Sequence, residues 1–240
     1  MKNVTLDIVL AEKIKAYIAT HQLKENERIP SNRDLAKIFN VQRMTVTMAL
    51  NRLVNEGIIF SVPRKGYFVS EKKIIRDLVK FESFSEMMKS KGLKVVTKLM
   101  SIEIQKGDKI ASAALGISEE TNIYKIRRLR IISDHPFTLE TSYIPEKYVK
   151  GIENHDLEGQ SLYKLLERIY GIVLCGATQE ISMVTPVKED RLLLDVSEGE
   201  ELLLLRSVAN DKNGKKIEYS ESLTRGDRCL FRNVLTRKEV

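Results

Sequence analysis

The 240-residue sequence has no tryptophan, two cysteines, three histidines and five prolines. Cys175 and Cys229 form no CxxC pair, so a disulfide framework is excluded, and His21, His135 and His155 are too scattered to add up to a metal cluster. The histidines fall at expected helix ends or in loops and read as surface residues. No nucleophile–histidine–acid set and no glycine-rich phosphate loop is present, so no catalytic residue, metal or cofactor is expected. No window approaches the roughly 18 uncharged apolar residues of a membrane-spanning helix. The opening MKNVTLDIVLAEKIKAY meets acidic residues too early for a secretory signal, and the expectation is a cytoplasmic protein with no membrane partner. What remains is an ordinary globular composition, 42% hydrophobic and 30% charged, long enough for one large domain or two modest ones.

The charge is unevenly placed. Residues 1–75 hold 13 Lys and Arg against 7 Asp and Glu, an excess of +6, whereas residues 76–240 hold 27 against 26, an excess of +1. A small basic part joined to a nearly neutral larger one points to two partners, the first a polyanion.

In the basic part, Leu6, Val9, Leu10, Ile14, Tyr17 and Ile18 recur at helical spacing. Ser31, with Asp34 three residues on, is placed to cap a second helix over about 32–39. After a turn at Asn40 and Val41, a third helix carries Val46, Leu50, Leu53 and Val54 inward and ends at Gly57. Its exposed start bears Arg43, Met44, Thr45 and Thr47, the mixture a helix lying in a major groove presents. The segments 58–60 and 67–69 read as a hairpin with Arg64, Lys65 and Gly66 at its tip, which completes a winged helix-turn-helix. A cationic tip with a glycine lets the backbone come close to a phosphate or a minor-groove floor.

The stretch RIPSNRDLAKIFNVQRMTVTMALNRLVNEGIIFSVPRKGYFV resembles the DNA-binding domain of GntR-type bacterial transcription regulators, through PS, LA, RMTV, AL, EG and GYFV taken together. The resemblance implies base contacts from Arg33 and Arg43 and a backbone role for Gly66. The sequence departs from the family pattern at Gln42, usually serine, and at Thr47, usually arginine. Threonine cannot grip guanine in bidentate fashion, so Thr47 is expected to meet a phosphate or a thymine methyl. Taken singly, Arg33 could pair with a nearby acid, Arg43 could be a solvated charge, and Arg64 with Lys65 could merely protect a hairpin edge.

Residues 71–79, with EKKIIRDLVKF as a short strand or helical turn, read as a linker. Beyond it, KVVTKLMSIEI, NIYKIRRLRIIS, PFTLETSYI, QEISMVT and CLFRNVL read as strands, and SLYKLLERIYG and KEDRLLLDV as helices. ELLLLRSVAND and KKIEYSESLTRG form a hairpin turning at Asn213-Gly214. The expected fold class is α+β: a winged helix-turn-helix over 1–70 and an antiparallel-sheet domain over 80–240.

The second part resembles the ligand-sensing UTRA domain of the HutC-type branch of GntR regulators, through RLR, LETSYIP, SLYKLLERIYG and EYSESLTRGD in order, over about 80–236. The resemblance implies a chorismate-lyase-like fold with a pocket on an antiparallel sheet. It also implies effector contacts from Arg128, Arg130, Glu140 and Glu218, with hydroxyl donors at Ser85 and Ser161. Thr224 and Cys229 stand where many such sensors have tyrosine. From the residues alone, Arg128 and Arg130 are two apart on a strand and share a face. They either flank an anion or lie on a solvated face balanced by Glu140. Tyr143 and Tyr163 read as core residues with a hydrogen-bonded hydroxyl.

The sequence is therefore expected to encode a homodimeric repressor that binds double-stranded inverted-repeat operator DNA. Its effector is expected to be a small anionic metabolite, a sugar phosphate or an organic acid. The competing readings are a lyase or hydrolase using Glu140 as acid-base, and an architectural DNA binder with an inert second domain.

Overall fold

The computed structural model describes residues 5–62, 64–70 and 73–235, and the chain divides into two compact units, Met1–Ile74 and Ile75–Val240. The first unit contains three helices, α1 (Leu6–Thr20), α2 (Asn32–Ile38) and α3 (Arg43–Asn55), then a hairpin of β1 (Ile59–Val62) and β2 (Gly66–Val69). Its core is the helical stripe Leu10, Ile14, Leu35, Val46, Leu50 and Leu53, closed by Ile29, Ile59 and Val69. Leu6 and Val9, expected inward, are 61% and 39% exposed, because the stripe rotates through Ala11 as the helix proceeds. Two ion pairs tie α1 to α3, Lys15–Glu56 at 2.7 Å and Arg52–Asp7 at 3.5 Å. The Ser31 hydroxyl accepts from the Asp34 amide and donates to the Asp34 carboxylate at 2.6 Å, so the cap of α2 is a closed two-bond loop. The hairpin gains a third short strand: the Ile29 amide donates to the Tyr67 carbonyl, the Val69 amide to the Glu27 carbonyl, and Arg28 bridges Phe68.

The second unit is built on an antiparallel sheet in the order β4-β5-β6-β9-β8-β7, comprising β4 (Val95–Lys106), β5 (Asn122–Ile132), β6 (His135–Pro145), β7 (Leu174–Val184), β8 (Leu202–Asp211) and β9 (Lys216–Thr224). The β8–β9 turn carries Gly214 at φ +76°, which a side chain would strain. The helices are α4 (Phe84–Ser90), α5 (Lys109–Leu115), α6 (Leu162–Tyr170) and α7 (Lys188–Leu194). The sheet's two faces differ in kind. Leu129, Leu139, Tyr143 and Tyr219 pack on one side against Ala111 and Leu115 of α5 and Leu194 of α7. On the other, Tyr124, Ile126 and Ile144 pack against Leu162, Leu165 and Leu166 of α6 at one end, while the rest of that face is polar yet buried.

Of the expected linker, residues 71 and 72 lie outside the described residues, and Ile74–Asp77 is a strand, β3, paired with β10 (Cys229–Arg232). The Arg232 Nε donates to the Asp77 carboxylate at 2.9 Å and the Leu78 amide to the Arg232 carbonyl, so this short pair is clamped at its end. No helix among the described residues is long and apolar enough to cross a membrane.

The core of the first unit has little reserve, so truncating Leu50, fully buried between α1 and α3, leaves a cavity that so small a core cannot close. Urea unfolding of Leu50→Ala, followed by helical circular dichroism, is expected to show a loss of about 2–5 kcal/mol. A loss well below 1 kcal/mol would contradict this account of the core.

Candidate functional site

Two surfaces carry the expected chemistry, one in each unit. In the first, α2 and α3 meet across the short turn at Asn40, whose φ of +51° sits in the left-handed region. Arg33, Arg43, Arg64 and Lys65 are exposed, and none forms an ion pair among the described residues. Arg33 attracts the neighbouring Asp34 only as the smallest of the influences that lower that carboxyl, without a contact ion pair among the described residues. Met44 is 71% exposed and Met48, one turn later, 53%, so apolar contact area flanks Arg43 on the outward face of α3. Thr45 is half-buried.

Thr47 also has a role within the unit. Its hydroxyl donates to the Arg43 carbonyl at 3.0 Å and accepts from the Asn32 side-chain amide at 3.1 Å, which pins α2 to α3. The donor is spent inside the unit, leaving the methyl and one lone pair for any outward contact. Arg28, which the sequence reading missed, belongs to the wing: a Cβ on Gly66 would come within 3.3 Å of its Nε. Gly66 itself has φ +109°, and Arg64 φ +62°, so the tip is a tightly turned cationic loop.

The second surface is the buried polar face of the large sheet. Strand register assembles it. Arg128 on β5 lies opposite Glu140 on β6, which lies opposite Ser222 on β9, which lies opposite Leu205 on β8. Alternation then puts Arg130, Ser142, Glu218, Ser220 and Ser207 on the same face. Arg128 and Arg130 are 1% and 2% exposed, so the solvated-surface alternative is overturned. Glu140 accepts from both guanidiniums, from Arg128 Nη2 in a short bond and from Arg130 Nη2 at 3.2 Å, while Arg130 Nη1 donates to Thr97 at 2.7 Å. Ser85 from α4 and Ser161 at the N-cap of α6 line the same cavity, which also takes in Arg76, Phe84, Tyr163 and Gln179. All six expected effector residues thus line one cavity. The space is about 60 Å³, room for a few water molecules or one compact oxyanion.

The charges inside are not balanced by the protein. Burial pushes the Glu140 carboxyl up, but Arg130 and Arg128 outweigh it and hold the group at about 2, so it is ionised. Glu218 goes the other way: burial first, then the neighbouring Glu140 charge, raises it above the usual carboxylate range. Tyr163 donates to Glu218 at 2.9 Å, and its own ionisation is pushed far up by burial. Tyr163 is therefore a wall residue of the cavity rather than simple core, whereas Tyr143 stacks on Tyr219 on the opposite face, as expected of a core tyrosine. Arg128 Nε and Nη1, Arg130 Nε and Ser161 Oγ are buried without a hydrogen-bond partner among the described residues. Thr224 donates to or accepts from Thr138 and is fully buried, and Cys229 is buried on β10, so neither lines this cavity. His21 and His135 are exposed, and His155 is half-buried edge-on to Tyr170.

Comparison with known proteins finds a family for each unit. Residues 9–69 match the family described as bacterial regulatory proteins, gntR family, and residues 90–229 match the UTRA domain. The chain is 32% identical to the HTH-type transcriptional repressor NagR of Bacillus subtilis, covering 95% of this chain and 93% of that protein. It is 26% identical to the mannosyl-D-glycerate transport/metabolism system repressor MngR of Escherichia coli, covering 95% of each. Among solved structures, PhnF from Mycobacterium smegmatis superposes with a TM-score of 0.69 at 25% identity, over 95% of this chain and 100% of that one.

The two glutamates should leave opposite marks on stability. Glu140, depressed in the fold, contributes stability that is present above its ordinary value of 4.5 and is lost as pH falls toward about 2. Glu218, raised in the fold, contributes stability that is complete below 4.5 and is lost as pH rises through its folded value. In a thermal-unfolding series from acid to neutral pH, Glu218→Gln is expected to hold or raise Tm at pH 7 and to flatten the decline with rising pH. Glu140→Gln should cost about 3–5 kcal/mol at pH 7, because two buried guanidiniums lose their counter-charge. A drop in Tm for Glu218→Gln at pH 7 would count against the assignment.

Proposed function

Because the chain belongs to the GntR family of bacterial regulatory proteins, we propose that it is a homodimeric repressor reading an inverted-repeat operator, whose operator affinity changes when a small anionic metabolite occupies the cavity of Arg128, Arg130, Glu140 and Glu218. DNA binding by the first unit and effector binding by the second follow from the family; the anionic ligand, the dimer and the residue roles are our reading. The observation that carries it is the buried charge imbalance. Two guanidiniums that cannot lose their charge face one ionised carboxylate and one carboxyl biased toward its neutral form, with three guanidinium nitrogens unbonded. An oxyanion supplies both the missing charge and the missing acceptors. The E. coli relative is named for mannosyl-D-glycerate, itself a sugar acid, which fits a sugar phosphate or organic acid here.

On the DNA side, Arg33 and Arg43 take base edges, Met44 and the Thr47 methyl suit thymine methyls, and Arg28, Arg64, Lys65 and the Gly66 backbone serve the wing. Thr45 is placed for a phosphate. A ligand can only act by binding one arrangement of the paired heads better than another. The edge strands β4 and β7 offer room for self-pairing, and β7 exposes Ile181 and Met183 at 39% and 60%.

Fluorescence anisotropy on the protein's own promoter region, across a salt series, tests this reading. Affinity is expected to fall linearly in log–log form, and Arg64→Ala should reduce that slope by about 1. Arg43→Ala should cost about 1–3 kcal/mol and relax preference at one operator position. A sugar phosphate or sugar acid should shift the wild-type curve. Affinity insensitive to salt, or no response to any anionic metabolite, would refute the corresponding half of the proposal.

A further inference from the structure

The cavity has a third arginine that the argument above does not use. Arg76 sits on β3 and lines the same space as Arg128 and Arg130. Its guanidinium carbon lies 5.2 Å from the Phe231 ring centroid and 5.7 Å from that of Phe84, while Arg130 lies 5.5 Å from the same Phe84 ring. One aromatic ring therefore has two guanidiniums against it. Ring faces attract a cation, but they do not saturate its N–H groups, and Arg76 Nη1 is buried with no hydrogen-bond partner among the described residues. Burial depresses its proton affinity, and the carboxylate that acts on it, Glu140, is already bonded to both other arginines.

We propose that Arg76 is an effector-binding residue, the third arm of a three-guanidinium site built for a dianionic group, a phosphate monoester rather than a carboxylate. The inference rests on the anionic-effector reading and narrows it. Three fixed positive charges face Glu140 and Glu218, which leaves +1 if both are ionised and +2 if Glu218 is protonated. A phosphate monoester brings about −1.5 to −2 at neutral pH, with three acceptor oxygens, whereas a sugar acid brings one charge and two oxygens. The unbonded nitrogens of Arg76, Arg128 and Arg130, with Ser161 Oγ, match the tripodal acceptor set. The small volume suits the phosphoryl group alone. An adjoining cavity of about 160 Å³, which shares Phe81, Glu82, Ser83 and Tyr163 with it, gives the sugar body a place.

The rival account is that Arg76 merely packs between two rings. Arg76→Met keeps the apolar stem between Phe84 and Phe231 and removes the cation; Arg76→Lys keeps a charge without the planar fork. Calorimetric titration of the full-length wild type and both variants would use glucose 6-phosphate, mannose 6-phosphate, fructose 6-phosphate, inorganic phosphate and gluconate. For phosphate esters, Arg76→Met is expected to weaken binding about ten- to hundredfold, the worth of a charge-assisted hydrogen bond, and Arg76→Lys to weaken it less. Gluconate affinity should fall by a smaller factor, and Tm without ligand should not fall, since an unpaired buried cation is gone. Phosphate-ester affinity unchanged in Arg76→Met, or an equal loss for phosphate and carboxylate ligands, overturns the proposal. Wild-type protein that binds gluconate and no phosphate also overturns it while sparing the anionic reading. Wild-type protein that binds none of the five at millimolar concentration sinks both.

Discussion

A guanidinium cannot shed its charge when it is buried, and this one constraint organises the larger unit. A lysine or a glutamate in such a place could turn neutral; Arg128 and Arg130 cannot, so the sheet must bring them compensation. It does so through register, setting Glu140 directly across from Arg128 and within reach of Arg130. The compensation is incomplete, because Glu218 is pushed toward its neutral form by its burial and then by the charge that Glu140 retains. The seryl and threonyl side chains along β6, β8 and β9 then keep the rest of this face wettable and tightly spaced, which aliphatic residues could not do without closing the space. The opposite face obeys the ordinary rule, apolar and packed under α5 and α7. A sheet with one greasy and one polar interior face is a scaffold that holds a binding site in its own core.

The smaller unit solves a different problem, that of presenting charge without spending it. Its ion pairs Lys15–Glu56 and Arg52–Asp7 tie α1 to α3, while Arg33, Arg43, Arg64 and Lys65 form no contact ion pair among the described residues. Thr47 exchanges reach for rigidity: the position bonds α2 to α3 through Asn32 instead of projecting a long cation. In the proposed reading, sequence selection leans on Arg33, Arg43 and the apolar surface of Met44 and Met48.

The legible parts of the sequence were those where a period is sustained. The three helices of the first unit and strands such as NIYKIRRLRIIS stand out because a repeat of 3.6 or 2 runs for many residues. The seven-residue helices α4 and α5 went unread, although each carries its signal: Ser83 and Glu86 form a reciprocal capping box, and Asp108 caps Ala111. Two turns of helix give periodicity little to work on, and of the seven-residue helices of the larger unit only α7, within KEDRLLLDV, was read. Arg128, Arg130, Glu140 and Glu218 were chosen from local spacing and family likeness, but their meeting depends on strand order and register, which no local window contains. Arg76 and Arg28 were missed for the same reason: each is a lone cation in a short segment, and only its non-local neighbours, Phe84 with Phe231 and Gly66, give it a role. Tyr163 was read as core with a hydrogen-bonded hydroxyl; the bond is there, but that its partner is Glu218, at the cavity wall, is a tertiary fact.

The pairing of β3 with β10 joins the segment by which the chain enters the larger unit to the segment by which it leaves the sheet. The family-matched span runs only from residue 90 to residue 229, so a fragment trimmed to it would discard the entering strand, Phe84, Ser85 and all of β10 but Cys229. Entry and exit are stitched into one clasp, with Asp77 and Arg232 as its hook. Arg76 on β3 lines the cavity and Phe231 on β10 packs against its guanidinium, so the clasp that joins entry to exit also holds one wall of the cavity in place.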